Sequence, residues 1–180
     1  EEPDALIISG DIFDSPNPSV EVQRLFFDFL NQCTQENEGM QVVVIAGNHD
    51  SGARIEAAEE LLRLHNIYVR GTVQRKGENI DFERNILPLS PRHKSEAAVV
   101  CYALPFLRSM DYPHNLSVEG GIKYHLQQMD KRHKASEFKK LPVVLAAHFY
   151  AVGAFVNEQE HSERLVVGGQ DCVEVGDLGK

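Results

Sequence analysis

The chain has 180 residues, 42% of them apolar, and a formal net charge of −9. That is enough sequence for one domain with a real core. The acidic balance excludes a protein that grips nucleic acid through a strongly basic overall charge, although a local site carrying its own cations stays open. Three widely spaced cysteines, Cys33, Cys101 and Cys172, exclude a disulfide framework and a zinc-finger pattern. Cys33 and Cys101 lie in apolar surroundings and read as core thiols, which fits a reducing, cytoplasmic setting. No apolar run reaches the length that crosses a membrane.

Ala5 to Ser9 reads as a buried strand, and Asp14 to Pro18 as a turn rich in Asp, Ser, Pro and Asn. Ser19 is placed to cap a helix with Glu21 in its first turn. Val22, Leu25, Phe26, Phe29, Leu30 and Cys33 then recur at helical spacing, a face suited to a core or to a dimer. Val42 to Ala46 is a second strand. Ser51 caps a further helix with Ile55, Ala58, Leu61 and Leu62 on one face. This alternation of strand and helix predicts an α/β domain with an at least partly parallel sheet.

Short strands are predicted at Ile67 to Val69, Ile86 to Leu89 and Val99 to Ala103. Ser117 caps a third helix running to about Ser136, with Val118, Ile122, Leu126 and Met129 inward and Gly120-Gly121 as its weak point. Val143 to Ala147 is another buried strand, ending at His148. Ala151 to Lys180 reads as Gly-rich, polar loop with one apolar patch, Leu165 to Val167.

Two words carry chemistry: Gly10-Asp11-Ile12-Phe13-Asp14 and Gly47-Asn48-His49-Asp50. Each follows an apolar strand, so a carboxylate, a carboxamide and an imidazole emerge where α/β proteins gather a site. Together they offer oxygen and nitrogen donors suited to divalent first-row metals. Asp11 has two oxygens and can bridge two metal ions, which would clamp a phosphate and activate a water. Asn48 adds a ligand without adding charge. His49, beside it, can face the substrate to stabilise developing charge or protonate a leaving oxygen. Asp50 can fix the tautomer of His49 from behind, and Asp14 can orient His49 or meet solvent. His148 is the third polar residue to leave an apolar run in this way.

The other six histidines, His65, His93, His114, His125, His133 and His161, lie in polar or helical stretches and read as solvated. Lys131, Arg132, His133, Lys134, Lys139 and Lys140 read as a solvated helix end, with a DNA-backbone contact as the alternative. No Gly-rich loop of the P-loop or dinucleotide type occurs.

With these words the chain resembles the calcineurin-like metallophosphoesterases. Tyr102-Ala103-Leu104-Pro105-Phe106-Leu107-Arg108 looks like the Pro-Phe-Leu-Arg segment of SbcD-type exonuclease subunits. His148 with Val152-Gly153, Ser162-Glu163-Arg164 and Val167-Gly168-Gly169 looks like the fourth motif of that subfamily and the stretch after it. The resemblance implies a four-layer α/β/β/α sandwich. It implies two divalent metal ions, usually Mn2+, bridged by Asp11, with Asn48 and His148 as further ligands and His49 as the catalytic histidine. The implied reaction is phosphodiester hydrolysis by an activated water, in line and without a covalent enzyme intermediate. The implied partners are DNA, an SbcC-type coiled-coil ATPase, and a second copy met through Ser19 to Cys33 and Gly52 to Leu64.

The family also carries an Asp-x-His word before the first strand and a Gly-His-x-His word further on. Neither occurs in these 180 residues. Residues 1–180 therefore read as the central part of one nuclease domain, incomplete at both ends and without capping and ATPase-binding regions. Such a piece is expected to bind metal poorly and to have little nuclease activity by itself. Two rivals remain: a metallophosphoesterase acting on nucleotides or small phosphodiesters, and a non-catalytic scaffold that lost part of its metal shell.

Overall fold

In the computed structural model, residues 2–151 and 172–173 are described. The order of the main elements is β1 (Ala5–Ser9), α1 (Val20–Glu36), β2 (Gln41–Ile45), α2 (Gly52–Glu56), α3 (Glu59–Leu62), β3 (Ile67–Arg70), β4 (Arg75–Lys76), β5 (Asn79–Ile80), β6 (Ile86–Leu89), β7 (Val99–Leu104), α4 (Val118–Ala135), β8 (Val143–Ala147), β9 (Tyr150–Ala151) and β10 (Cys172–Val173). Strands β1, β2 and β3 form one parallel sheet in that order. Strand β7 lies between β6, antiparallel to it, and β8, parallel to it, in a second sheet.

Side-chain alternation stacks these sheets. Along β2, Val42 and Val44 pack with Leu30 and Ile55 under α1 and α2. Val43 and Ile45 face the other way and meet Leu87, Leu89, Cys101 and Ala103 of the second sheet. Along β7, Cys101 and Ala103 fill the space between the sheets, whereas Val100 and Tyr102 pack with Met129 of α4. Both strands are covered on two faces, which is why their sequences are unbroken apolar runs rather than alternating ones. Each fully buried aliphatic side chain contributes about 1.5–3 kcal/mol. The result is the expected order of layers: helices, sheet, sheet, helix.

Local signals place the helices well. Ser19 Oγ accepts the Val22 amide at 3.4 Å, and Ser117 Oγ accepts the Gly120 amide at 3.1 Å. Gly121 is buried, and a side chain there would drive into the Tyr112 ring, so close packing explains a glycine that helix propensity disfavours.

The structure corrects four expectations. The helix after Ser51 is two short pieces. Ser51 makes no side-chain cap, and the turn at Ala57–Ala58 brings Glu59 inward onto Arg70 at 3.1 Å while Leu61 is left 69% exposed. Strand β8 is not buried throughout, because it edges the second sheet among the described residues and Val143, Val144 and Leu145 are 37–44% exposed. His125 and His133 are buried, not solvated. His125 Nε2 donates to the Asp111 carbonyl at 2.8 Å. His133 Nε2 donates to the Phe138 carbonyl at 2.8 Å and its Nδ1 accepts the Tyr102 hydroxyl at 3.0 Å. Arg132, in the basic cluster, is half-buried, with its guanidinium 4.7 Å over the Phe82 ring. The stretches Val152-Gly153, Ser162 to Arg164 and Leu165 to Gly169, and His161, lie outside the described residues. No described helix is long and apolar enough to cross a membrane.

Candidate metal centre

The loops that leave β1, β2 and β8 meet at one end of the two sheets. The β1 loop turns sharply, with Gly10 at φ 93° and Asp11 at φ 47°. The left-handed region suits glycine and is only tolerated by Asp. This turn lays the β1 loop against the β2 loop and against His148. A side chain at Gly10 would strike the His148 ring, and one at Gly47 would strike the Asp11 carboxylate.

Asp50 ties the two loops together. Its carboxylate is 1% exposed and accepts three backbone amides: Gly47 at 2.8 Å, Phe13 at 3.0 Å and Ile12 at 3.1 Å. A buried carboxylate held by three N–H donors loses little by leaving water. Across the same seam, the His49 amide donates to Asp11 Oδ1 at 3.1 Å. The two loops thus hold each other through carboxylates that sit in the motifs themselves.

The His148 ring fixes the chemistry of the centre. Its Nδ1 is 2.9 Å from the Ser9 carbonyl, which can only accept, so Nδ1 carries the hydrogen and donates. Nε2 is then left with its lone pair toward the centre. It lies 2.9 Å from Asn48 Oδ1 and 3.4 Å from Asp11 Oδ2. Asn48 Nδ2 donates to the Tyr150 hydroxyl at 3.4 Å, which turns Oδ1 inward. A carboxylate, an amide oxygen and an imidazole nitrogen therefore converge, each presenting electrons. Ligands placed about 2.1 Å from one ion lie about 3.0–3.4 Å apart, depending on octahedral or tetrahedral geometry. The observed separations match, so these residues fit a divalent cation. Among the described residues, no group of three His, Cys, Asp or Glu side chains is arranged to hold a metal ion. The donor set here has two such side chains and a carboxamide.

The structure brings together Asp11, Asn48, His148, His49 and Asp50. His49 is half-buried beside Asn48, and Asp14 is exposed on the bend after Phe13. Asp50 is described on the backbone of both loops, a role sequence reasoning did not give it. Sequence reasoning also missed Tyr150. The available signal was its place two residues after His148, on the same side of an extended chain.

The sequence profile of the calcineurin-like phosphoesterases matches residues 1–174. The chain belongs to the calcineurin-like phosphoesterase family. Within that family, the chain is 34% identical over 181 residues to the SbcD component of the SbcCD nuclease of Rhodobacter capsulatus, covering 96% of the chain and 44% of that protein. It is 28% identical over 162 residues to the SbcD component of the Escherichia coli K12 nuclease, covering 84% of the chain and 38% of that protein. A 71-residue stretch is 37% identical to the SbcD component of the Bacillus subtilis nuclease, covering 39% of the chain and 18% of that protein. The chain is therefore of SbcD type, and it spans less than half the length of the curated relatives it matches.

Proposed function

We propose that the protein is the DNA-cleaving subunit of a nuclease complex, hydrolysing phosphodiester bonds with two divalent ions, Mn2+ by preference, beside an SbcC-type ATPase in DNA repair and recombination. The observation that carries this reading is the approach of Asn48 Oδ1 and Asp11 Oδ2 to His148 Nε2, at 2.9 Å and 3.4 Å. The bound ions would supply charge neutralisation on the phosphate and acidify the attacking water.

The chain's own residues do the rest. Asp11 supplies both carboxylate oxygens where two ions would share a ligand. Asn48 and His148 complete one side, with Ser9 and Tyr150 setting the direction of their donor atoms. His49 faces the substrate, stabilises charge on the scissile phosphate and passes a proton to the leaving oxygen. Asp14, exposed on the bend after Phe13, orients His49 when substrate is bound. Asp50 holds the two loops in register. A cytoplasmic location fits this work on DNA.

A homodimer belongs to the same proposal. On α1 the inward face is Phe26, Phe27, Leu30 and Cys33. Val22, Leu25 and Phe29 are left 45–70% exposed, as are Leu61 and Leu64 at 69% and 78%. Both segments cover the same face of the first sheet, and a second copy would bury these side chains. We also propose that these 180 residues alone bind Mn2+ weakly and cleave DNA poorly, because the Asp-x-His and Gly-His-x-His words are absent from them.

The test is Mn2+-dependent cleavage of linear duplex DNA by the full-length protein, with Mn2+ binding measured by calorimetry. Asp11→Ala should abolish both, weakening Mn2+ by at least about 100-fold, since even an outer partner of a ligand is worth 10–100-fold. His49→Ala should keep Mn2+ bound and slow turnover about 10²–10⁴-fold. Tight binding of two Mn2+ by the 180-residue polypeptide would refute its incompleteness, and retained cleavage by Asp11→Ala would refute the site.

A further inference from the structure

The segment Pro105 to Arg108 leaves β7 beside the metal-binding side chains, and no role for its cation follows from hydrolysis alone. The Phe106 amide donates to the Ala46 carbonyl at 2.9 Å, fixing the segment to the strand that carries Asn48. The Phe106 ring stands edge-on to the His148 ring, 6.4 Å between centroids. The Arg108 guanidinium lies 6.0 Å from the Phe106 centroid. The backbone below is a tight turn: the Arg108 amide donates to Asp111 Oδ2 at 2.7 Å and the Asp111 amide to the Arg108 carbonyl at 2.8 Å. An exposed guanidinium thus lies over an aromatic ring that itself packs against the His148 imidazole.

Four other arginines, Arg63, Arg70, Arg84 and Arg92, have their charge answered by carboxylates, whereas Arg54, Arg75 and Arg132 spend their donors on neutral oxygens. Among the described residues, no carboxylate pairs with the Arg108 guanidinium. A guanidinium stacked on a ring keeps its five donors free and loses little freedom on meeting a phosphate, which it takes with two parallel hydrogen bonds. The position matters because the chain carries a net charge of −9, which repels a polyanion everywhere except at local cations. Successive phosphates of a strand repeat about every 3.4 Å along the axis, so a strand with one phosphate at the metal-binding side chains carries others close by.

We infer that Arg108, held on Phe106 beside the metal-binding side chains, grips a second phosphate of a nucleic-acid strand and sets the preference for polynucleotides over small phosphodiesters. This rests on the phosphodiesterase reading above.

The test uses the full-length protein, wild type and the variants Arg108→Ala and Arg108→Lys. Binding of a labelled single-stranded oligonucleotide is followed by fluorescence anisotropy across a salt series. Turnover is measured on the same oligonucleotide and on a chromogenic aryl phosphodiester too short to reach past the site. Arg108→Ala should weaken oligonucleotide binding about 10-fold and flatten the salt dependence by about one phosphate contact. It should raise KM on the oligonucleotide more than it lowers kcat, and so cut the preference for oligonucleotide over aryl diester about 10-fold. Arg108→Lys should recover the salt slope but only part of the affinity, because a point charge replaces the fork. Wild-type affinity and salt slope in Arg108→Ala, or equal losses on both substrates, would overturn the inference and leave the nuclease reading standing. A wild-type protein that binds no oligonucleotide and cleaves neither substrate would remove both.

Discussion

Two polar clusters sit at the ends of strands in the same parallel sheet, and they are built on opposite plans. Beyond β3, Arg70 meets Glu59 at 3.1 Å, with Arg84 bridging Glu59 at 3.5 Å and Glu56 at 2.5 Å. There cation faces anion and the charges cancel. Beyond β1 and β2, Asp11, Asn48 and His148 turn electron pairs toward one another across 2.9–3.4 Å. Nothing in that trio cancels. A self-neutralising cluster is complete by itself and serves to join α2 and α3 to the sheet and to the turn before β6. A cluster of facing acceptors is complete only with a cation. Polar residues at strand ends therefore do not mark a site; uncompensated lone pairs do.

The contrast can be broken most forcefully at the ion network. Glu59→Ala leaves the Arg70 guanidinium, whose side chain is 6% exposed, without its carboxylate. It should cost about 3–5 kcal/mol in urea unfolding, with Mn2+ affinity of the full-length protein far less affected. A neutral outcome would mean that the network does not hold α3 in place.

Asp50 sharpens the comparison, because it is a buried anion answered by amides rather than by a cation. In Asp50→Asn one oxygen becomes an NH2 facing a backbone donor. The change should cost about 1.5–3 kcal/mol and should loosen metal binding as well, since Gly47 and Ile12 hang on the same oxygen. Stability lost with unaltered Mn2+ affinity would limit Asp50 to folding.

Tyr150→Phe removes only the hydroxyl that orients Asn48, 3.4 Å away. Mn2+ affinity should fall about 10-fold, with the unfolding midpoint nearly unmoved. An unchanged affinity would show that Asn48 needs no such partner.

The smallest effect concerns a buried polar group that belongs to neither plan. Burial lowers the pKa of His125 from 6.5; the Asp111 carbonyl and carboxylate oppose this and Arg75 adds to it. The unfolded chain therefore binds a proton that the folded one resists. Stability from this group is full above about pH 6.5 and is lost as the pH falls through the lower folded value. The thermal midpoint should decline over that window, and less steeply in His125→Gln. An identical decline in the variant would assign the slope to other groups.

Much of the architecture was legible before any coordinates. Ala5 to Ser9, Ile86 to Leu89 and Val143 to Ala147 are strands with those bounds, and Ser19 and Ser117 cap the helices predicted after them. These signals are local: an apolar run, a hydroxyl before a helix, a glycine at a turn. The failures are all non-local. Ile55, Ala58, Leu61 and Leu62 read as one helical face, but Arg70 draws Glu59 inward and the helix breaks. His125 and His133 sit in a polar stretch of sequence, yet each ring finds a carbonyl that α4 alone does not supply. The apolar face of α1 could not be divided between core and surface until its neighbours were in place.

The sequence by itself determined the family, through that resemblance the layer order, and from its apolar runs which side chains stand at the strand ends, because these depend on short words whose chemistry is carried within a few residues. Only the tertiary structure decided what those side chains do to one another. That Ser9 takes the hydrogen of His148, that Asp50 binds both loops and that Tyr150 turns Asn48 inward all join residues from distant parts of the chain. Hydrogen-bond direction follows from which atoms meet in space, and no reading along one dimension contains it.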